Sequence, residues 1–153
     1  MENIPKFYTL AGYSRLEKKK LTASMEDYLE MILRLGEKEQ PVRIHQLAEA
    51  LHVKASSASK MVSNLKELGL VDFEKYGSVS PTQEGNEVGA FLLFRHQTLQ
   101  EFFCWLNQSE DELEQVEKVE HFITPQTLTS MRRFLDGCKD SAGEEKNTGE
   151  KRS

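Results

Sequence analysis

Cysteine is nearly missing from this 153-residue sequence: Cys104 and Cys138 stand alone, with no CxxC pair. That excludes a disulfide-stapled scaffold and a cysteine-rich zinc site. No apolar run approaches the roughly 18 residues that a membrane span needs, so no membrane contact is expected. The opening M-E-N-I-P-K-F-Y-T-L-A-G-Y-S-R has no continuous apolar core of the kind a secretory signal carries, and a cytoplasmic protein is expected. Internal repeats are also absent. What remains, 38% hydrophobic and 29% charged residues, suits a somewhat polar globular chain.

A net charge of -5 argues against a nucleic-acid partner only until its distribution is considered. Residues 1 to 24 carry five basic and two acidic side chains, and residues 43 to 66 carry four basic and one acidic, so both stretches are net +3. Residues 101 to 153 hold seven basic and twelve acidic side chains. Phosphates respond to local potential, so a DNA-binding first half remains open.

After a basic arm, Tyr28, Leu29, Ile32, Leu33 and Leu35 form a helical stripe that Gly36 is expected to end. Ser24 offers a capping box with Asp27. The stretch V-R-I-H-Q-L-A-E-A-L, Val42 to Leu51, reads as a second helix, and H-V-K-A links it tightly to a third over Ser56 to Leu68, closed by Gly69. Two short helices joined by so brief a turn are the pattern of a helix-turn-helix. Alternating residues around Gly77-Ser78 then predict a β-hairpin, the wing of a winged helix. Ser56, Ser57, Ser59, Lys60 and Asn64 are the candidates for DNA contact, with Lys54, Lys75 and Tyr76 on phosphates. Each has an ordinary alternative as a solvated polar residue, and His45 and His52 are read as surface residues.

From about Thr82 helical periodicity returns and runs to Leu106, with more aromatics than one surface helix hides, which suggests packing against a second copy of the chain. Ser109 to Glu112 offers a capping box for a further helix, and Thr124-Pro125 an N-cap and first-turn pair for a last one ending near Gly137. In Q-V-E-K-V-E-H-F-I, residues 115 to 123, Val116, Val119 and Phe122 keep an apolar spacing while Glu117, Glu120 and His121 sit among them. On one helix those three side chains face one spot, where like charges need a cation, a proton or a Lys/Arg between them. A solvated acidic face is the plain alternative. Asp27 and Glu30 likewise share a face, with a capping acid and a solvated acid as their plain alternatives, and His96 alone reads as a core or rim histidine. Together, four carboxylates and two imidazoles suit a borderline-hard divalent ion such as manganese, bound less well in acid.

Five pieces occur in order: S-M-E-D-Y-L-E at 24 to 30, S-S-A-S-K-M-V at 56 to 62, F-E-K-Y-G-S-V-S-P-T at 73 to 82, R-H at 95 and 96, and V-E-K-V-E-H at 116 to 121. In them the chain resembles the diphtheria-toxin-repressor-like metalloregulators, within them the manganese transport regulator (MntR) branch. The resemblance implies a homodimeric, metal-dependent transcriptional repressor on a palindromic operator, not an enzyme. Its metal ligands fall at Asp27, Glu30, His96, Glu117, Glu120 and His121. Oxygen at 27 and 117, where iron-responsive relatives place Met and Cys, implies Mn2+, in a binuclear site; Fe2+ or Zn2+ would make an iron- or zinc-responsive repressor of the same family. A metal-independent winged-helix regulator is the further alternative, and a di-metal oxidase is disfavoured because Glu-x-x-His does not recur on two helices. The expected fold is mainly α: a basic arm (1–21), a winged helix-turn-helix DNA-binding domain with a small β-hairpin wing (22–82), an all-helical dimerisation and metal-binding domain (83–137) and a disordered tail (138–153).

Overall fold

A computed structural model describes residues 6–74 and 77–148 of the chain, so Lys75 and Tyr76 lie outside the described residues. The basic arm is not an unstructured lead: Lys6–Lys19 form helix α1. Helix α2 (Ala23–Lys38) opens on Thr22, whose hydroxyl accepts the Met25 amide at 3.2 Å. Thr22 is thus the N-cap in place of Ser24, and Asp27 is not a capping-box acid. Tyr28, Leu29 and Ile32 are buried along one stripe. The helix runs through Gly36, a lone helical glycine costing only about 1 kcal/mol relative to alanine.

Val42–Arg43 form a strand, β1, where the sequence reads as helix, and helix α3 is confined to Ile44–Ala50. Val42 pairs with Val79 and is buried, so strand pairing wins over helix at a β-branched residue. Helix α4 (Ala55–Glu67) buries Ala58, Val62 and Leu65 on one face. It ends in a Schellman motif: Gly69 at φ +75° donates to Lys66 O and Leu70 to Leu65 O. Strands β2 (Val71–Glu74) and β3 (Ser78–Pro81) form the wing, in a three-stranded antiparallel sheet of order β1-β3-β2 with Phe73 opposite Val79. The helix-turn-helix and wing read from the sequence are therefore present, with β1 added to the sheet.

Helix α5 (Gln83–Asn107) is one unbroken element. Gly89 lies against Leu33, where a Cβ would come within 2.3 Å of the leucine side chain, so glycine lets α5 close on α2. The chain divides into two compact units, Met1–Phe94 and Arg95–Ser153, the division falling inside α5. In the second unit follow α6 (Leu113–Val119), a 3-10 turn (Glu120–Phe122) and α7 (Pro125–Thr148). Thr124 accepts the Thr127 amide at 3.3 Å, the N-cap that Thr124-Pro125 predicts. The α7 helix passes Gly137 and stays helical through residues 138–148, read from the sequence as disordered tail. A helix already anchored by buried Leu128 and Leu135 propagates through the poor former Gly143 to the good helix formers Glu144, Glu145 and Lys146.

Part of the aromatic surplus is absorbed within the chain. Trp105 meets Phe134 edge-on at 4.9 Å between ring centroids, with Phe102 beside both. Trp105, Leu106 and Phe134 nonetheless keep exposed faces. Next to them Glu101 accepts Arg132 Nη2 at 2.8 Å and Gln97 Nε2 at 3.1 Å, with Lys139 Nζ at 3.4 Å. Burial alone would raise the Glu101 carboxyl, but those donors and charges outweigh it and hold it below the ordinary carboxylate range.

Glu101→Gln is therefore expected to cost about 1 to 2 kcal/mol of stability at neutral pH. The folded-state pKa lies below the unfolded one, near 4.3, so the contribution is complete above that value and is lost as pH falls through the depressed one. Circular-dichroism melts of wild type and variant should differ at pH 7 and converge in acid.

Candidate metal centre and nucleic-acid interface

In the first unit, α2 carries Asp27 and Glu30 three residues apart, on neighbouring positions of one helical face. Glu30 is 7% exposed, which overturns its description as a solvated helix acid, and its Oε1 accepts Arg34 Nη2 at 2.9 Å. A carboxylate this deep needs an ionic or hydrogen-bonding partner. Glu26, to which the sequence reading gave no role, is buried as well.

In the second unit, α5 supplies Arg95 and His96, and the turn after α6 supplies Glu120 and His121. The helix expected to carry Glu117, Glu120 and His121 on one face ends at Val119 and tightens into the 3-10 turn. Phe122, expected to continue the apolar stripe, is consequently turned outward at 83% exposure, while Val116 stays buried. Glu117 lies exposed on the last turns of α6.

Glu120 is 2% exposed, and His96 Nδ1 donates to its Oε2 at 3.2 Å. His121 Nε2 stands 3.9 Å from its other oxygen. A carboxylate on one ring nitrogen is the arrangement that usually orients a metal-ligating imidazole. His121 has the opposite tautomer: its Nδ1 accepts Arg95 Nη2 at 3.2 Å, so the neutral ring carries its proton on Nε2. Ligation of a metal through that nitrogen requires the ring to exchange tautomer and Arg95 to release it. Arg95, only 3% exposed, is the member of this cluster that sequence reasoning missed, although a charged residue between the apolar neighbours of R-H was its signal.

Two imidazoles converging on a buried carboxylate form a mixed nitrogen and oxygen donor set that fits a borderline divalent cation. A cation next to Glu120 would also offset the cost of burying it.

Among the DNA candidates, Lys54, Ser56, Ser57 and Lys60 are exposed on or just before α4, and Ser59 and Asn64 are half-buried. The face opposite Ala58, Val62 and Leu65 is thus polar and accessible, as a groove-reading helix requires.

Residues 20–79 match the family model of the iron dependent repressor N-terminal DNA binding domain, and residues 82–146 that of the iron dependent repressor metal binding and dimerisation domain. The HTH-type transcriptional regulator MntR of Oceanobacillus iheyensis is 35% identical over 120 residues, which cover 78% of this chain and 82% of that protein. Among solved structures, the metal-dependent transcriptional regulator MtsR superposes with a TM-score of 0.68 at 26% identity over 76% of this chain. The manganese regulator SloR gives 0.64 at 28% identity over 73%. This chain spans 55% and 53% of those two chains, about half of each.

Glu120→Gln keeps the size of the side chain and removes the charge that the two imidazoles surround. It is expected to weaken binding of a divalent cation by about 10- to 100-fold, followed with Mn2+ as the probe by the loss of the free-ion signal in electron paramagnetic resonance titrations, with the helical circular-dichroism spectrum retained.

Proposed function

The chain belongs to the iron-dependent repressor family of metal-responsive, DNA-binding transcriptional repressors, and we propose that the metal it answers to is manganese(II). It is a regulator, not an enzyme. The observation that carries the reading is Glu120, buried between His96 and His121. Asp27 and Glu30 of the first unit act with His96, Glu117, Glu120 and His121 of the second as the metal ligands, in a binuclear site. Oxygen donors at 27 and 117 make this a hard set, which favours manganese over softer-ligand alternatives. The likeness to a manganese regulator supports the same choice.

A bound dication supplies positive charge shared by carboxylates that otherwise repel one another. Side chains from α2 and from the second unit then have a common partner, and the DNA-binding unit loses freedom that it would otherwise lose on DNA. The protein acts as a homodimer. Its two α4 helices read the half-sites of a palindromic operator in the major groove, and Lys54, Ser56, Ser57, Ser59, Lys60 and Asn64 make the contacts, with Lys75 and Tyr76 of the wing on the backbone. The exposed faces of Trp105, Leu106 and Phe134 supply apolar surface for the dimer contact. Among the described residues no helix is long and apolar enough to cross a membrane, and the repressor works in the cytoplasm on metal-uptake genes. The family's description as iron dependent keeps iron(II) as the second reading.

Fluorescence anisotropy of a labelled duplex, metal-free and then with manganese, iron(II) or zinc, tests the proposal. Manganese is expected to tighten binding by about 5- to 150-fold, the usual range of a coupling between two sites. Asp27→Asn and His121→Ala should each lose that response. A larger response to iron(II) at equal free concentration would replace manganese by iron; binding indifferent to every metal would remove the sensor.

A further inference from the structure

Helix α1 ends at residue 19, just before the family match begins at residue 20. It is nevertheless built into the DNA-binding unit. Gly12 sits directly on α5: a Cβ there would come within 2.1 Å of the Glu87 carbonyl oxygen and 2.9 Å of Phe91. Tyr13 stacks at a tilt on Phe91, with ring centroids 5.7 Å apart. Arg15 pairs with Glu87 and with Glu84, the latter at 3.5 Å.

Lys19 completes this contact in a different direction. Its ammonium pairs with Glu84 Oε1 at 3.2 Å and donates to the carbonyl of Leu68 at 2.5 Å. Leu68 is the C-cap of α4, the helix that bears the DNA candidates. Carbonyls at a helix C-terminus have no intrahelical donor and form the negative end of the helix dipole, so a lysine there is held by both a hydrogen bond and a field. The neighbouring carbonyl, Gly69 O, accepts Thr82 Oγ1 at 2.7 Å. The end of α4 is therefore fixed from two sides: by Thr82, next to the start of α5, and by Lys19 of α1.

We propose that Lys19 is a positioning residue for DNA recognition: by joining the α4 C-terminus to Glu84 of α5, it sets the pose of the recognition helix without touching DNA. Reading base edges demands that side chains be held to within about 0.5 Å, and a helix anchored at one end only by its apolar face has freedom to tilt. The inference rests on the family's DNA binding and not on which metal is sensed.

The test compares Lys19→Met, Lys19→Arg, Lys18→Met and Glu84→Gln with wild type. Binding is measured to a duplex selected by the wild-type protein from a random-sequence pool, metal-free and with manganese, across a salt series. Lys18 is exposed one residue away, so its replacement removes the same charge without the tie. Expected is a loss of about tenfold for Lys19→Met in both conditions, with an unchanged slope of log affinity on log salt. Lys19→Arg and Lys18→Met should stay within about twofold of wild type. Glu84→Gln, which weakens the same junction from α5 and leaves the charge of α1 in place, should reproduce part of the loss should Lys19→Met fold poorly. Wild-type affinity in Lys19→Met would overturn the proposal. So would an equal loss in Lys18→Met with the slope reduced by about one, because α1 would then be contacting phosphate directly.

Discussion

A carboxylate removed from water must be compensated where it sits, and Glu120 is the group on which this protein turns. Two imidazoles lie beside it, His96 from α5 and His121 from its own 3-10 turn. Imidazoles are also metal ligands, so on the proposed reading a dication bound here would share the charge of the buried carboxylate. Arg95 donates to His121 Nδ1, so on the proposed reading ligation through Nε2 would require that ring to exchange tautomer.

The proposed regulation also requires that a change at the metal residues be felt by α4, the helix proposed to read DNA. Within the first unit α4 is held by its buried face, by the Schellman turn at Gly69, by Thr82 and by Lys19. Near its start α5 bears Glu84, and it carries His96 further along the same continuous helix. Coupling between sites needs an element whose state both sites bias, and a single long helix that takes part in both units is a suitable one. Glu84 of α5 and the C-terminus of α4 thus share a physical connection through Lys19.

Local signals in the sequence account for the elements it predicts well. Gly69 marks the end of α4 because a left-handed residue is needed there, and the alternation around Gly77-Ser78 marks the wing because both strands pair with near neighbours. Features decided by distant partners were not legible. Val42–Arg43 becomes a strand only because β3 lies beside it, and α1 is held by Glu84, Glu87 and Phe91, far along the chain. The break of α6 at Val119 leaves no trace in the periodicity, which explains why Phe122 was expected inside and is outside. At the site the residue types were legible and their surroundings were not. Burial of Glu30 and Glu120 and the hold of Arg95 on His121 are properties of the packed structure alone.

On the proposed reading, metal occupancy and DNA binding are two faces of one equilibrium. Linkage makes this reciprocal: whatever factor manganese adds to DNA affinity, DNA must add to manganese affinity. The most direct measurement is the Mn2+ dissociation constant of the wild-type protein, by electron paramagnetic resonance titration, with and without saturating selected duplex. Manganese is expected to bind more tightly on DNA, by the factor that manganese itself adds to duplex affinity. A manganese affinity unchanged by DNA would contradict it, leaving an ion site and a DNA-binding unit that share a chain without communicating.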